Sequence, residues 1–269
     1  MFTLMELVQA ESIEEAYKLL KAKKINTILA GCGFLRMGKK RIGTAVELSK
    51  LDLDYVKETE DYFEIGAMTT FRTLETHEGL NKEFNRFLEK ALGNIVGIQF
   101  RNVVTVGATV YSRYGFSDLI TALLTLDTEV ELYNRGRITL EKWLQRPYEE
   151  NEKDLLTRIF IKKNSKIAVY KDMRNEINDY PLINIGVSFL DGKWKVVVGA
   201  RPAVAKESEK ASSFLSENKV DEDIAKKAAE IAAEELNFGS NMRASAEYRK
   251  SLCKVLVKRA IMEGLSCQR

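Results

Sequence analysis

Two short segments of small residues are the part of this chain whose composition could support chemistry. Residues 31–33 (Gly-Cys-Gly) and residues 107–109 (Gly-Ala-Thr) each follow an apolar run. Small residues let a ligand approach the backbone closely, and free N–H groups can bind phosphate oxygens. Alone, each segment is more typical of an ordinary turn than of a site, and Arg36 stands where a dinucleotide-binding fingerprint needs its third glycine. Together, the two segments could donate to one diphosphate, which predicts a dinucleotide site without a basic patch.

Few side chains suit other chemistry. His77 is the only histidine, and it lies in a polar stretch typical of a solvated helix surface. Cys32, Cys253 and Cys267 are widely separated and form no CxxC pair, so neither a zinc nor an iron–sulfur motif is present. We therefore expect no bound metal and no catalytic side chain, and we assign any chemistry to a bound cofactor.

The composition is that of a soluble globular protein. Among 269 residues, 42 basic and 39 acidic side chains give a net charge of +3, which argues against binding to nucleic acid or a membrane surface. No apolar run approaches the length of about 18 residues that a membrane span needs. The first 25 residues predict a capped helix and its lead-in instead of a signal peptide. With an odd number of cysteines, this predicts a reducing, cytoplasmic location.

The elements around the first small segment alternate between strand and helix. Ser12 and Glu15 form a capping box before a helix that runs to Lys23. Strands are predicted at 27–31 and 44–49, which indicates an α/β unit.

The middle of the chain repeats this alternation. We predict a strand at 62–68, a helix with Thr69 or Thr70 as N-cap, a helix over 84–97, and a strand that enters the second small segment from Val104. A helix then starts at Ser117 or Asp118, and a hairpin surrounds residues 134–136.

The last third has strands first and helices afterwards. Four strands are predicted, with Asp191-Gly192 as a two-residue hairpin turn between the last two. Helices follow over 205–216, 221–237 and 245–264, and we interpret the charges of the last one as a solvated face. This order indicates an α+β domain that begins near residue 164.

Six segments, in order and at matching spacing, resemble the FAD-binding medium subunit of molybdenum hydroxylases, the group of xanthine dehydrogenase and carbon monoxide dehydrogenase. The similarity extends over almost the whole chain. The segments are ILAGCGFL (28–35), EIGAMTTFRTLE (64–75), IVGIQFRNVVTVGATV (95–110), SDLITALLTLDTEVEL (117–132), YKDMR (170–174) and SAEYRKSLCKVLVKRAI (245–261).

The resemblance implies an α+β fold in two domains. Residues 1–163 would form a two-lobed α/β FAD-binding domain of the PCMH type, with lobes of about 1–55 and 56–163. Residues 164–269 would form the C-terminal α+β domain of an antiparallel sheet and helices. The implied role is electron transfer through FAD, from iron–sulfur clusters of a small subunit to NAD or another acceptor. Substrate would be hydroxylated at molybdopterin on a large subunit.

The resemblance also implies the residues that bind FAD. The first diphosphate loop would be formed by Leu29, Ala30, Gly31, Cys32, Gly33, Phe34 and Leu35. The second loop and the helix after it would contribute Thr105, Gly107, Ala108, Thr109, Ser112, Ser117 and Asp118. Leu156 and Lys171 would lie near the flavin ring. Three alternatives remain open: Asp118 as a simple helix cap, Lys171 as a solvated strand residue, and Leu156 as plain core.

The two loops depart from the family pattern. Cys32 and Ala108 replace the second glycine of each loop, Thr109 replaces an asparagine, and Gly33-Phe34 replaces a Thr-Asp pair. These departures favour one rival, a flavin-free structural subunit of the same kind of complex. A second rival is a free-standing FAD oxidoreductase, which would need substrate-binding acids and bases in the C-terminal domain.

Overall fold

The computed structural model describes residues 1–146 and 153–267. Within them the β-strands are β1 (Thr3–Gln9), β2 (Thr27–Leu29), β3 (Arg41–Glu47), β4 (Val56–Glu58), β5 (Tyr62–Gly66), β6 (Thr128–Leu132), β7 (Gly136–Thr139), β8 (Leu156–Lys162), β9 (Ile167–Met173), β10 (Ile183–Leu190), β11 (Lys193–Gly199) and β12 (Lys206–Glu207). The α-helices are α1 (Ile13–Ala22), α2 (Phe71–Thr76), α3 (Glu78–Glu83), α4 (Phe87–Leu92), α5 (Ile98–Arg101), α6 (Val106–Ser112), α7 (Asp118–Thr125), α8 (Leu140–Gln145), α9 (Glu209–Glu217), α10 (Glu222–Glu235) and α11 (Ala246–Ser266).

Backbone contacts divide the chain into two compact units. The first unit comprises residues 1–74, 98–112 and 128–161, and the second comprises 75–97, 113–127 and 162–269. Each unit therefore collects segments that are distant in sequence.

The first unit contains a small parallel sheet with strand order β1-β3-β2. Helix α1 connects β1 to β2 and packs against β3, where its apolar face meets Val46 and Leu48. As predicted, Ser12 is the N-cap of α1 and accepts a hydrogen bond from the Glu15 N–H group at 3.1 Å. The Glu15 carboxylate reaches back to the N–H group of Glu11 at 2.8 Å. Local sequence therefore defines the start of this helix.

The second sheet of the first unit has five strands in the order β4-β5-β8-β6-β7. The predicted hairpin is confirmed, since β6 and β7 pair in antiparallel register from Glu129–Thr139 to Leu132–Gly136. Strand β5 alternates buried Phe63 and Ile65 with half-buried residues. This alternation is the pattern of a sheet with one face toward a core.

The second unit is built on an antiparallel sheet with the order β12-β11-β10-β9. Helices α9, α10 and α11 belong to the apolar core of this sheet, together with Ile183, Ile185 and Val187 of β10. The predicted turn between β10 and β11 is confirmed: Asp191 and Gly192 both have positive φ, 48° and 79°. The mixed helix and sheet architecture confirms the predicted fold class.

Helix α7 covers the other face of β10. Because successive strand residues point to opposite faces, Asn184, Gly186 and Ser188 face α7. A Cβ atom at Gly186 would lie 1.8 Å from the hydroxyl oxygen of Thr125. Glycine at this position therefore lets the helix lie directly on the strand.

Three predictions about elements were wrong in detail. Residues 104–106 do not form a strand: Thr105 makes a single bridge to Thr70, and α6 begins at Val106. The helix predicted over 84–97 is limited to α4, because Asn85 and Arg86 have positive φ values of 47° and 59° that interrupt it. The helix predicted from residue 205 begins at Glu209, since the residues before it form β12.

The single histidine has a structural role. His77 is half-buried at the N-cap of α3, where its Nδ1 atom accepts a hydrogen bond from the Leu80 N–H group at 3.2 Å. The prediction of a solvated surface residue was therefore incomplete, since this side chain caps a helix.

Arg249 contradicts the prediction that the charges of the last helix form a solvated face. Its side chain is fully buried near the start of α11. It donates to the carbonyl oxygens of Leu182, Gly239 and Ala244 at 2.8, 2.6 and 2.9 Å and to the Asn241 side chain at 2.7 Å. One guanidinium thus connects α11 to the start of β10 and to the loop before the helix.

We predict that Arg249→Ala lowers the free energy of unfolding by about 3–5 kcal/mol, because it leaves buried acceptors without donors and creates a cavity. Urea unfolding measures this change. Lys254→Ala is the matched control on the same helix, where an exposed side chain should change stability by less than about 0.5 kcal/mol. Equal stability of both variants would contradict the assigned role of Arg249.

Candidate functional site

The first small segment forms a half-buried loop directly after β2. Residues 30–35 connect this strand to a single 3-10 turn at Leu35–Met37. Cys32 has a φ of 53°, in the left-handed region that normally suits glycine. The N–H groups of Gly31, Cys32 and Gly33 make no hydrogen bond within the part of the chain that the structure describes. Consecutive free N–H groups around a left-handed residue are an arrangement that binds anions.

Gly31 is required by a contact inside the protein. A Cβ atom at this position would lie 1.8 Å from the carbonyl oxygen of Val103 and 2.9 Å from the Cα atom of Val104. The sequence predicted that Gly31 lets a ligand approach, whereas the structure shows that it lets Val103 and Val104 approach the loop. These two residues precede the second segment, and both they and the loop belong to the first unit.

The side chain of Cys32 is turned back toward its own loop. Burial raises the pKa of the Cys32 thiol, and a hydrogen bond from the Ala30 backbone opposes this rise. The thiol is therefore protonated at neutral pH. The polar groups that the loop offers to a ligand are then its backbone N–H groups.

The second small segment uses its donors within the protein. The Gly107 N–H group donates to the Ala67 carbonyl oxygen at 2.8 Å, and the Thr109 N–H group donates to the Thr105 carbonyl oxygen at 3.3 Å. The Ala108 N–H group lies 3.4 Å from the Thr105 hydroxyl oxygen. We expected these three N–H groups to face phosphates. That expectation was wrong for Gly107 and Thr109, because the segment is the first turn of α6 and not a free loop.

Gly107 shows the same requirement as Gly31. A Cβ atom at Gly107 would lie 2.6 Å from both the Cβ atom and the carbonyl oxygen of Ala67. The small residues of this segment therefore allow α6 to begin against the end of β5. Ser112, at the other end of α6, is exposed.

Asp118 and Ser117 lie in the second unit. The Ser117 hydroxyl caps α7 by accepting from the Ile120 N–H group at 3.1 Å. Asp118 is buried, and its Oδ1 atom accepts from Arg174 at 2.7 Å, from Asn184 at 3.1 Å and from the hydroxyl group of Tyr170. Of the two alternatives for this region, helix capping belongs to Ser117, and Asp118 joins α7 to β9 and β10.

Burial sets the electrostatics of this cluster. Burial raises the pKa of the Asp118 carboxyl group, and the Arg174 guanidinium beside it acts in the opposite direction. Burial also raises the pKa of the Tyr170 hydroxyl group well above its ordinary value. Tyr170 therefore remains a neutral donor, and the carboxylate is surrounded by groups that only donate to it.

The two residues predicted near the flavin ring lie in separate units. Leu156 belongs to β8 in the first unit and is buried, with 4% of its surface exposed. Lys171 belongs to β9 in the second unit and forms an ion pair with Glu263 of α11. The Lys171 ammonium group is therefore partly exposed and has a carboxylate partner.

The second unit contains a row of half-buried aromatic rings. Tyr114 and Phe116 stack with centroids 5.1 Å apart, and Tyr180 meets Phe116 edge-on at 4.7 Å. The Arg243 guanidinium lies 4.8 Å from the centroid of Tyr180. The sequence signals Tyr114 and Phe116 by their proximity to the second segment, but nothing local signals Tyr180 or Arg243.

Two structural features are absent from the described ranges, 1–146 and 153–267. Nowhere in them do three or more His, Cys, Asp or Glu side chains gather as a metal ion would require. No helix in the same ranges is both long and apolar enough to cross a membrane.

Comparison with known families decides the identity of this fold. Residues 3–162 match the family described as FAD binding domain in molybdopterin dehydrogenase, and residues 168–264 match the CO dehydrogenase flavoprotein C-terminal domain. The chain belongs to this family. The resemblance predicted from the sequence, to FAD-binding medium subunits of molybdenum hydroxylases, is therefore confirmed, and FAD is the cofactor of the family.

Relatives match almost end to end. The nicotine 6-hydroxylase medium subunit of Paenarthrobacter nicotinovorans is 26% identical over 268 residues, with 94% of each chain covered. The glyceraldehyde dehydrogenase medium chain of Sulfolobus acidocaldarius is 26% identical over 275 residues, covering 95% of this chain and 96% of that one.

Solved structures show the same fold. Quinoline 2-oxidoreductase from Pseudomonas putida 86 superposes with a TM-score of 0.86 at 20% identity, covering 97% of this chain and 96% of the other. CO dehydrogenase from Oligotropha carboxidovorans gives a TM-score of 0.86 at 22% identity, with the same coverage.

The first loop fits a dinucleotide cofactor. A diphosphate needs several donors that are not already used, and within the described residues the N–H groups of residues 31–33 meet this condition. Val103 supports the loop, with its carbonyl oxygen against Gly31. The site therefore offers backbone donors, with little contribution from side chains.

We predict that Asp118→Ala lowers the free energy of unfolding by about 3 kcal/mol, because it removes the acceptor of a buried guanidinium and of a buried tyrosine. Urea unfolding measures the loss. Asp61→Ala, at an exposed position, is the control and should change stability by less than about 0.5 kcal/mol. A variant of full stability that binds less FAD would instead show that Asp118 acts on the cofactor.

Proposed function

We propose that this chain is the electron-transfer subunit of a molybdenum hydroxylase. It would bind FAD and pass electrons from iron–sulfur clusters of a small subunit to NAD or another acceptor. The observation that supports this proposal is the set of N–H groups at residues 31–33 that have no partner among the described residues, on a fold whose relatives include medium subunits and chains. Bound FAD supplies the redox chemistry, and the chain supplies binding and orientation.

The first loop is the proposed diphosphate site. Its donors are backbone groups, so they remain although Cys32 and Phe34 depart from the family pattern. Two or three such bonds to charged oxygens would contribute about 1.5–3 kcal/mol each. This is enough to hold the cofactor without a cluster of lysines or arginines, which agrees with the near-neutral net charge of the chain.

The remaining predicted residues keep different roles in this proposal. Thr105 and the start of α6 contact the end of β5 at Ala67, and Val103 just before them contacts Gly31 of the loop. Leu156 and Lys171 stay as proposed neighbours of the flavin ring. The predicted division at residues 163 and 164 also stays a proposal about how the chain folds.

A flavin-free structural subunit is the second candidate. The observation that favours it is the use of the Gly107 and Thr109 N–H groups inside the protein, which leaves one loop with free donors where two were expected. The colour of the purified protein separates the two candidates, because bound FAD absorbs visible light and a structural subunit is colourless.

The cysteines support a reducing, cytoplasmic location, which we propose together with the function. Cys32, Cys253 and Cys267 are all free thiols. Cys253 is fully buried, and burial raises its pKa to about 12, so it is inert.

We predict that the apoprotein binds FAD and that Gly31→Ala weakens this binding at least about tenfold. The added methyl group would overlap the Val103 carbonyl oxygen and displace the loop. Flavin absorbance or fluorescence titration gives the Kd. Gly38→Ala is the matched control, because its Cβ would make only an ordinary contact of 3.5 Å with the Leu35 carbonyl oxygen.

Two results would count against this site. No FAD binding by the parent protein would refute the proposed function and favour the structural subunit. Equal affinities of the parent and Gly31→Ala proteins would show that the first loop does not bind the diphosphate.

We predict that affinity purification from the native cell recovers a small iron–sulfur protein and a large molybdopterin protein with this chain. Metal analysis of the isolated chain should find no stoichiometric molybdenum, iron or zinc, and metal analysis of the complex should find molybdenum and iron. Recovery of the chain alone under mild, low-detergent conditions would contradict the assignment as a subunit.

A further inference from the structure

The segment that supports the first loop also contacts it at a second glycine. A Cβ atom at Gly33 would lie 3.1 Å from two ring atoms of Phe100 and 3.1 Å from the Cγ2 atom of Val104. Both glycines of the loop are thus covered by the same short segment, residues 100–104.

The two contacts differ in what they can tolerate. At Gly31 the neighbour is the backbone of Val103, which cannot yield without moving the chain. At Gly33 the neighbours are side chains, and the ring of Phe100 can be shortened by substitution. The φ of Gly33 lies outside the left-handed region, so alanine is compatible with the backbone there. Contact alone then decides the effect of a methyl group at this position.

Backbone hydrogen bonds fix the second half of the loop. The N–H groups of Arg36, Met37 and Gly38 donate to the carbonyl oxygens of Cys32, Phe34 and Leu35 at 3.2, 3.1 and 3.1 Å. In the first half, the N–H groups of residues 31–33 make no bond to the described part of the chain, and the left-handed conformation of Cys32 costs roughly 1–2 kcal/mol. This half of the loop must be stabilised by what packs against it.

The supporting segment has its own firm attachment. The Asn102 N–H group donates to the Ile98 carbonyl oxygen at 2.9 Å, and the Val104 N–H group donates to the Phe100 carbonyl oxygen at 3.0 Å. The Val104 carbonyl oxygen accepts from the Phe71 N–H group at 3.0 Å. These hydrogen bonds fix the position of helix α5, which contains Phe100.

We infer that Phe100 is a positioning residue for the cofactor loop. Its ring, packed beside Gly33, keeps Cys32 left-handed and holds the three N–H groups of residues 31–33 in one arrangement. The diphosphate would then meet donors that are already aligned, and the cost of ordering the loop would not reduce its affinity. The effect on FAD affinity rests on the proposed function. The contact between Phe100 and Gly33 does not.

The first test measures the loop without any cofactor. The experiment uses a Cys267→Ser background, which removes the exposed thiol. Of the two remaining cysteines, Cys32 is half-buried and Cys253 is fully buried, so the thiol reagent of Ellman reports on the loop through Cys32. Phe100→Ala should raise the reaction rate of Cys32 about tenfold, since local opening exposes a protected thiol. Ile98→Ala is the control: the side chain lies on the same helix and is 50% exposed, so the rate should not change.

The second test is a double-mutant cycle in FAD titration. Gly33→Ala should weaken binding about tenfold by pressing on the ring, and Phe100→Leu should weaken it less. Gly33→Ala with Phe100→Leu should bind more tightly than Gly33→Ala alone, because the shorter side chain makes room for the methyl group. Thermal unfolding of each apoprotein checks that the overall fold is intact, and Phe100→Leu replaces Phe100→Ala if the latter fails to fold.

The outcomes separate this inference from the proposed function. Parental Cys32 reactivity in Phe100→Ala and Phe100→Leu, or purely additive losses in the cycle, would overturn the positioning role. Raised reactivity in a protein whose parent does not bind FAD would support the positioning of the loop and refute the cofactor assignment.

Discussion

The contact of Gly31 with the Val103 carbonyl oxygen is the constraint on which the candidate site depends. Two backbone segments meet at Gly31, which has no side chain. A Cβ atom at this position would lie 1.8 Å from the Val103 carbonyl oxygen. Val103 and Val104 therefore form one side of the loop after β2. Cys32 of this loop has a φ of 53°, and the N–H groups of residues 31–33 have no partner in the part of the chain that the structure describes. The arrangement of the proposed anion site is therefore present in the packing of the protein without a ligand.

Glycine residues also allow close backbone packing within the second unit. Gly186 and Gly199 lie under α7, where Cβ atoms would be 1.8 and 2.1 Å from threonine hydroxyl oxygens. The helix can therefore lie against β10 and β11, and its first residue, Asp118, reaches Arg174 and Asn184. Burial of that carboxylate requires these donors, because an unpaired buried charge costs several kcal/mol. Close packing and the polar cluster thus depend on each other.

The sequence predicts well what is decided by neighbours along the chain. The cap at Ser12, the turn at Asp191-Gly192 and the strands of the second unit follow from local residue types and periodicity. It predicts the loop that contains Gly31, but not what touches that glycine, since Val103 is distant in sequence. The start of α6 was mistaken for a strand because its small and β-branched residues suit both structures until the Ala67 contact is known.

Buried charges show the same limit. Arg249 has the sequence pattern of a surface charge, yet its donors satisfy acceptors from two segments that come together only in the fold. Asp118 was assigned to the FAD site because its position matches a family motif. Its partners on β9 and β10 could be found only from the sheet register, which places Tyr170 opposite Gly186 and Asp172 opposite Asn184.

The departures from the family pattern now have a physical reading. Cys32 stands where a glycine is usual, and its left-handed backbone explains why glycine suits that position. The cost of the side chain is strain, not the loss of a donor, because its N–H group makes no bond to the described part of the chain. Ala108 and Thr109 stand in the first turn of α6, where the helix and Thr105 already use their N–H groups. Replacing glycine and asparagine there removes no free backbone donor. Both departures thus leave the three donors of the first loop in place, and the capacity to bind a diphosphate depends on the shape of that loop.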